Sequence, residues 1–244
     1  MNSESPSPSR VDLTELGASG RHLFDVAVLL NRVVGDDAWL LVGGWMVHCH
    51  LALLGRRLGR VTDDVDVVVD VLSTPRSVPK IHEVLAEVGY RRSPSPMGVL
   101  HHRFSSPSGS VDLLFPDHLG RSRARSAGPQ LDGSRRLFAV RYPLDVAVGE
   151  KVARLQLPRL SGAVALKVRA WVSRRQPRDL SDVCELVLGV DDPQDLISVL
   201  NHFELRCLAS ALREVVRSTA VHLAHTEAEV GRFRGLLALV EQAR

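Results

Sequence analysis

Residues 60–70, RVTDDVDVVVD, constrain the fold of this chain more than any other stretch. β-branched side chains favour a strand over a helix, so a strand is expected over 64–71. Side chains along a strand alternate faces. Asp64 and Asp66 therefore share one face, about 6–7 Å apart, and Val65 and Val67 fill the other. Asp63 falls outside the alternation and points away from the pair. Two carboxylates on one face repel each other and lose hydration when covered. Either that face is the solvated side of an edge strand or a cation sits between them.

The surrounding pattern predicts a mixed α/β half followed by a helical half. Leu23, Val26, Leu29, Leu30 and Val33 recur at helical spacing and predict a helix over 18–34. AWLLV at 38–42 reads as a short buried strand, and Gly43-Gly44 turns it into an apolar helix over 45–55. A helix is expected over 78–89. Strands over 99–104 and 110–115 are joined by the turn Ser106-Pro107-Ser108-Gly109. Residues 120–136 form a basic loop, and two short strands follow near 137–141 and 144–148. Helices are then expected at 160–175, 178–188 and 193–200, with one or two more within 204–243. The expected division is a disordered tail over 1–14, an α/β domain over 15–150 and an all-helical domain over 151–244.

Composition narrows the partners. No apolar run approaches the ~18 residues of a membrane span, and the polar, proline-rich start MNSESPSPSR lacks a secretory apolar core. Cys49, Cys184 and Cys207 are odd in number and widely spaced, which suggests a reducing cytoplasm. The net charge is +3 with a pI of about 9.0, carried almost wholly by arginine, since Lys80, Lys151 and Lys167 are the only lysines. That balance is compatible with a phosphate-bearing partner such as RNA. His48-Cys49-His50 lacks the spacing of a zinc site, and Trp45 reads as core.

Two further features favour a cation at Asp64 and Asp66. Glycines at a strand-to-helix turn let backbone amides approach a phosphate, as at Gly43 and Gly44. SVDLLF at 110–115 places Asp112 among buried residue types, where a lone carboxylate needs a partner and a metal would be one. Three carboxylates on two strands beside a glycine turn match what metal-assisted phosphoryl transfer requires: magnesium takes hard oxygen ligands together with substrate phosphates.

LVGGW (41–45), DVD (64–66) and VDLLF (111–115) together resemble the nucleotidyltransferase superfamily of DNA polymerase beta. Arg60-x-Thr62-x-Asp64-x-Asp66, with ALKVRAWVSRRQPRDLSD at 165–182, is similar to the narrower AbiEii-type, MenT-like toxin family. The resemblance covers roughly residues 38–190. It implies a polymerase-beta-like core with a mixed sheet, an α/β (α+β) class, and a helical C-terminal domain. It implies that Asp64, Asp66 and Asp112 bind magnesium or manganese, with Asp112 orienting or deprotonating the acceptor hydroxyl. Gly43 and Gly44 would hold the triphosphate of an NTP, with Arg60 and Thr62 beside them. Lys167 and Arg174 would reach phosphates, and Asp179 or Asp182 would complete the helical side. The implied function is a toxin that moves a nucleotide onto tRNA or another RNA and is held by an antitoxin protein. Aminoglycoside and lincosamide nucleotidyltransferases share the Gly-Gly-Trp turn, and a catalytically idle binding module is a third reading.

Overall fold

The computed structural model describes residues 9–56, 62–74, 76–93, 102–117, 119 and 130–244. The chain forms two compact units, Met1–Pro158 and Arg159–Arg244.

The first unit begins with strand β1 (Ser9–Asp12), helix α1 (Gly17–Val34), strand β2 (Trp39–Val42), helix α2 (Gly43–Leu53), strand β3 (Asp64–Val69) and helix α3 (Ser77–Glu87). Strands β4 (Arg91–Arg92), β5 (Arg103–Ser106), β6 (Gly109–Pro116), β7 (Gln130–Leu131), β8 (Arg141–Val148) and β9 (Lys151–Pro158) follow. The larger sheet runs β2-β3-β6-β5-β4, with β7 against β6. β3 and β6 are parallel, whereas β2–β3 and β5–β6 are antiparallel, so the sheet is mixed as expected. β2 is buried along its whole length, and Val65, Val67, Val68 and Val69 of β3 are fully buried. This is the apolar layer that the alternation at 64–69 demands.

α1 packs on α3 and β9. Asn31 ties it to both sheets, accepting from Trp39 Nε1 at 2.9 Å and donating to the Arg154 carbonyl at 2.6 Å. The hairpin over 103–116 turns where Ser106-Pro107-Ser108-Gly109 was expected to turn, with Ser106 opposite Gly109.

Three expectations are corrected. Residues 9–14, drawn as part of a tail, are ordered: Ser9–Asp12 pairs in parallel with β8 and buries Val11, and Leu13 is buried beyond it. That strand partner lies some hundred and thirty positions downstream, so no local pattern announces it. The two short strands near 137–148 are instead a 3-10 turn, Arg135–Ala139, and one long strand, β8. The domain boundary at 150 would cut the β8–β9 hairpin at its Gly149-Glu150 turn. The compact units divide between Pro158 and Arg159.

The second unit is helical: α4 (Leu160–Arg174), α5 (Pro177–Leu188), α6 (Pro193–Val199), α7 (His202–Arg217), α8 (Thr219–Ala224) and α9 (Glu227–Gln242). Pro177 opens α5, where a missing N–H costs nothing. Capping boxes at Asn201/Glu204 and Thr226/Glu229 start α7 and α9. Ser218 caps α8, so the segment expected to hold one or two helices holds three. No helix among the described residues is long and apolar enough to cross a membrane.

Candidate active site

In the first unit, strand register brings three expected residues, Asp64, Asp66 and Asp112, together. Val42 lies opposite Asp66, Asp66 beside Asp112, and Asp112 opposite Arg103, forming one row across four strands. In the next row Asp64 lies beside Ser110, whose hydroxyl donates to Asp64 Oδ1. Side chains in register on one face are direct neighbours, so Asp64, Asp66 and Asp112 form one acidic patch. Asp63 is turned elsewhere and accepts from Ser19 Oγ at 2.5 Å.

The glycine turn lies against this patch. Gly43 has φ +69, and a Cβ there would stand 1.8 Å from Asp66 Oδ2. A Cβ on Gly44 would stand 3.0 Å from Thr62 Cγ2. Thr62 Oγ1 accepts from the Asp64 amide at 3.3 Å. Both glycines are therefore demanded by close packing onto the acidic strand, in addition to the backbone freedom that Gly43 uses. α2 starts at Gly43, and its N-cap residue, Val42, makes no side-chain cap. First-turn amides without a side-chain cap favour an anion.

Arg103, which the sequence reading missed, is the protein's own partner for Asp112. Its Nε and Nη2 donate to Asp112 Oδ1 and Oδ2 at 2.9 and 2.7 Å, and Nη2 lies 3.8 Å from Asp64 Oδ1. The hydrogen bonds to Asp112 are the main reason its pKa is raised, and the charges of Asp112, Asp64 and Asp66 add to it. The signal was present in the sequence: a two-residue turn between Ser106 and Gly109 places Arg103 opposite Asp112.

Among the described residues no group of three or more His, Cys, Asp or Glu side chains is arranged to hold a metal ion. The donor chemistry still suits magnesium, which needs only one or two carboxylates beside substrate phosphates. Asp64 and Asp66 supply those. Arg60, Arg121, Arg123, Arg125 and His101 lie outside the described residues. Of the other histidines and cysteines considered, His50 donates from Nε2 to the Pro158 carbonyl at 3.0 Å, and burial lowers its pKa to about 4. Burial pushes the Cys49 thiol up to about 12. Trp45 is buried, its ring 5.2 Å from that of His48.

In the second unit, Lys167, Arg174, Asp179 and Asp182 also come together. Lys167 Nζ lies 2.7 Å from Asp182 Oδ2 and 4.0 Å from Asp179 Oδ1. Arg174 forks onto Asp179 at 2.8 and 3.1 Å. Arg175, in the left-handed conformation, and Pro177 set the tight α4–α5 corner that makes these pairs. Lys167, Asp179 and Asp182 are all buried, so the aspartates do more than decorate a helix start. Removing one member of a buried pair strands the other charge. Lys167→Ala is expected to lower the unfolding free energy by about 3–5 kcal/mol, read from urea denaturation. Lys167→Met combined with Asp182→Leu should recover most of that loss.

The family described as Nucleotidyl transferase AbiEii toxin, Type IV TA system, matches residues 27–238. The chain belongs to this family. It is a nucleotidyltransferase. Enzymes of this class generally take an NTP and a divalent metal. No curated protein matches this AbiEii-family chain in sequence. Among solved structures, it is similar to the antibiotic-resistance factor ANT(2'')-Ia, with 12% identity and a TM-score of 0.45, over 82% of this chain and 97% of that one. It is also similar to an antigenic nucleotidyltransferase-like protein from Paracoccidioides brasiliensis, with 15% identity and a TM-score of 0.49, over 79% of this chain and 88% of that one.

Proposed function

We propose that this nucleotidyltransferase moves a nucleoside monophosphate from an NTP onto a hydroxyl of RNA, tRNA above all. In this reading it is the cytoplasmic toxin of a toxin–antitoxin pair, bound by a cognate antitoxin protein. The observation that carries the reading is the juxtaposition of Asp64, Asp66 and Asp112 on adjacent parallel strands with the Gly43 turn.

In the reaction the acceptor oxygen bonds to the α-phosphorus, the bond to pyrophosphate breaks and pyrophosphate departs, and the hydroxyl proton passes to Asp112 or to water. Asp64, Asp66 and Asp112 would hold the divalent cation, magnesium or manganese, which would neutralise the charge developing on the phosphates. Asp112 orients the acceptor hydroxyl. Gly43 and Gly44 bring backbone amides to the triphosphate, with Thr62 alongside. Lys167 and Arg174 contact nucleotide phosphates, and Asp179 and Asp182 hold those two cations in place. The basic balance of the chain suits an RNA acceptor.

The test incubates purified protein with magnesium, each labelled NTP in turn, and either total tRNA or a panel of aminoglycosides. Label in RNA is the expected result. Label on the drug would replace the RNA reading with a small-molecule one. No transfer to either would overturn the proposal.

A further inference from the structure

Asp112 is buried and both its oxygens are already engaged, at 2.9 and 2.7 Å, by the Arg103 guanidinium. A buried carboxylate must have its charge met, and here a side chain meets it. The same guanidinium reaches Asp64 at 3.8 Å. One guanidinium thus answers two carboxylates of the patch. The fork matters as well as the charge, because a planar guanidinium grips both carboxylate oxygens at once and an ammonium does not.

We propose that Arg103 is the built-in counter-ion of the acidic trio and competes with the divalent cation for Asp112. The nucleotide-free site then binds the cation weakly, and loading releases Asp112 from Arg103. This inference rests on the reading of Asp64, Asp66 and Asp112 as cation ligands. Because two competing equilibria oppose each other equally, weakening the Arg103–Asp112 pair must strengthen cation binding. A merely structural arginine would do the reverse, since its loss would loosen the ligands.

The experiment titrates Mn2+ into the full chain by calorimetry, without nucleotide or RNA, for the wild type, Arg103→Gln and Arg103→Lys. Arg103→Gln is expected to bind Mn2+ about tenfold tighter than the wild type. Its melting temperature should fall without metal and rise more steeply when Mn2+ is added. Arg103→Lys keeps the charge and loses the fork, and should tighten binding about threefold. Unchanged or weaker Mn2+ binding in both variants overturns the proposal, as does undetectable binding in both. If Arg103→Gln does not fold, Arg103→Lys decides alone. No transfer step is involved, so tightening without any nucleotidyl transfer sinks the functional proposal and leaves this one standing. Transfer without tightening does the opposite.

Discussion

Asp66→Ala is expected to lower nucleotide transfer by about 10³-fold while leaving the protein folded. Asp66 is the middle of the row that joins Val42, Asp112 and Arg103, and it is the carboxylate against which Gly43 packs. Asp64 cannot take its place, because it lies one row away and its Oδ1 is held by Ser110. The fold should hold, since Asp66 is only half-buried. Label incorporated into RNA and a thermal melt on the same preparation read the two effects separately. In bacteria, expression of the wild type should slow growth and Asp66→Ala should not. A variant that keeps more than a tenth of the transfer rate, or that stays equally toxic, would refute metal-dependent transfer at this patch.

How much of this was legible in the sequence depends on how far apart the interacting residues lie. Period-two alternation at 64–69 is local, and the strand, its buried valine face and the shared face of Asp64 and Asp66 all follow from it. The 106–109 turn is local as well, and it carried the pairing of Arg103 with Asp112 for any reading that followed the register across. β1 was not legible, because its four residues are strand only by virtue of pairing with β8. β9 was missed as a strand although Ala153, Leu155 and Leu157 alternate with Arg154 and Gln156. In the second unit, the seven-residue spacing of Lys167 and Arg174 fits one face of a helix. It could not reveal that both cations are drawn onto aspartates across the α4–α5 corner, which depends on how two helices pack.

Gly43→Ala should cost both stability and activity, and the balance between the two is the informative part. At φ +69 an alanine is strained by about 1–2 kcal/mol. Gly55 at +68 and Gly149 at +60 carry the same kind of strain, yet nothing lies within 4 Å of a Cβ at either. Gly55→Ala and Gly149→Ala are therefore the measure of backbone strain alone and should leave transfer unchanged. At Gly43 the added methyl would stand 1.8 Å from Asp66 Oδ2, so either the turn or the carboxylate must move. Moving a half-buried turn beside β2 and β3 adds about 1–3 kcal/mol to the strain. Moving Asp66 displaces a ligand, and an ångström of misplacement costs about 10²-fold in rate. The expected outcome is a loss of stability larger than in the two controls and a transfer rate down by about 10²-fold. If Gly43→Ala matched the controls in both measurements, the turn and Asp66 would be uncoupled, and the glycine would serve the backbone alone.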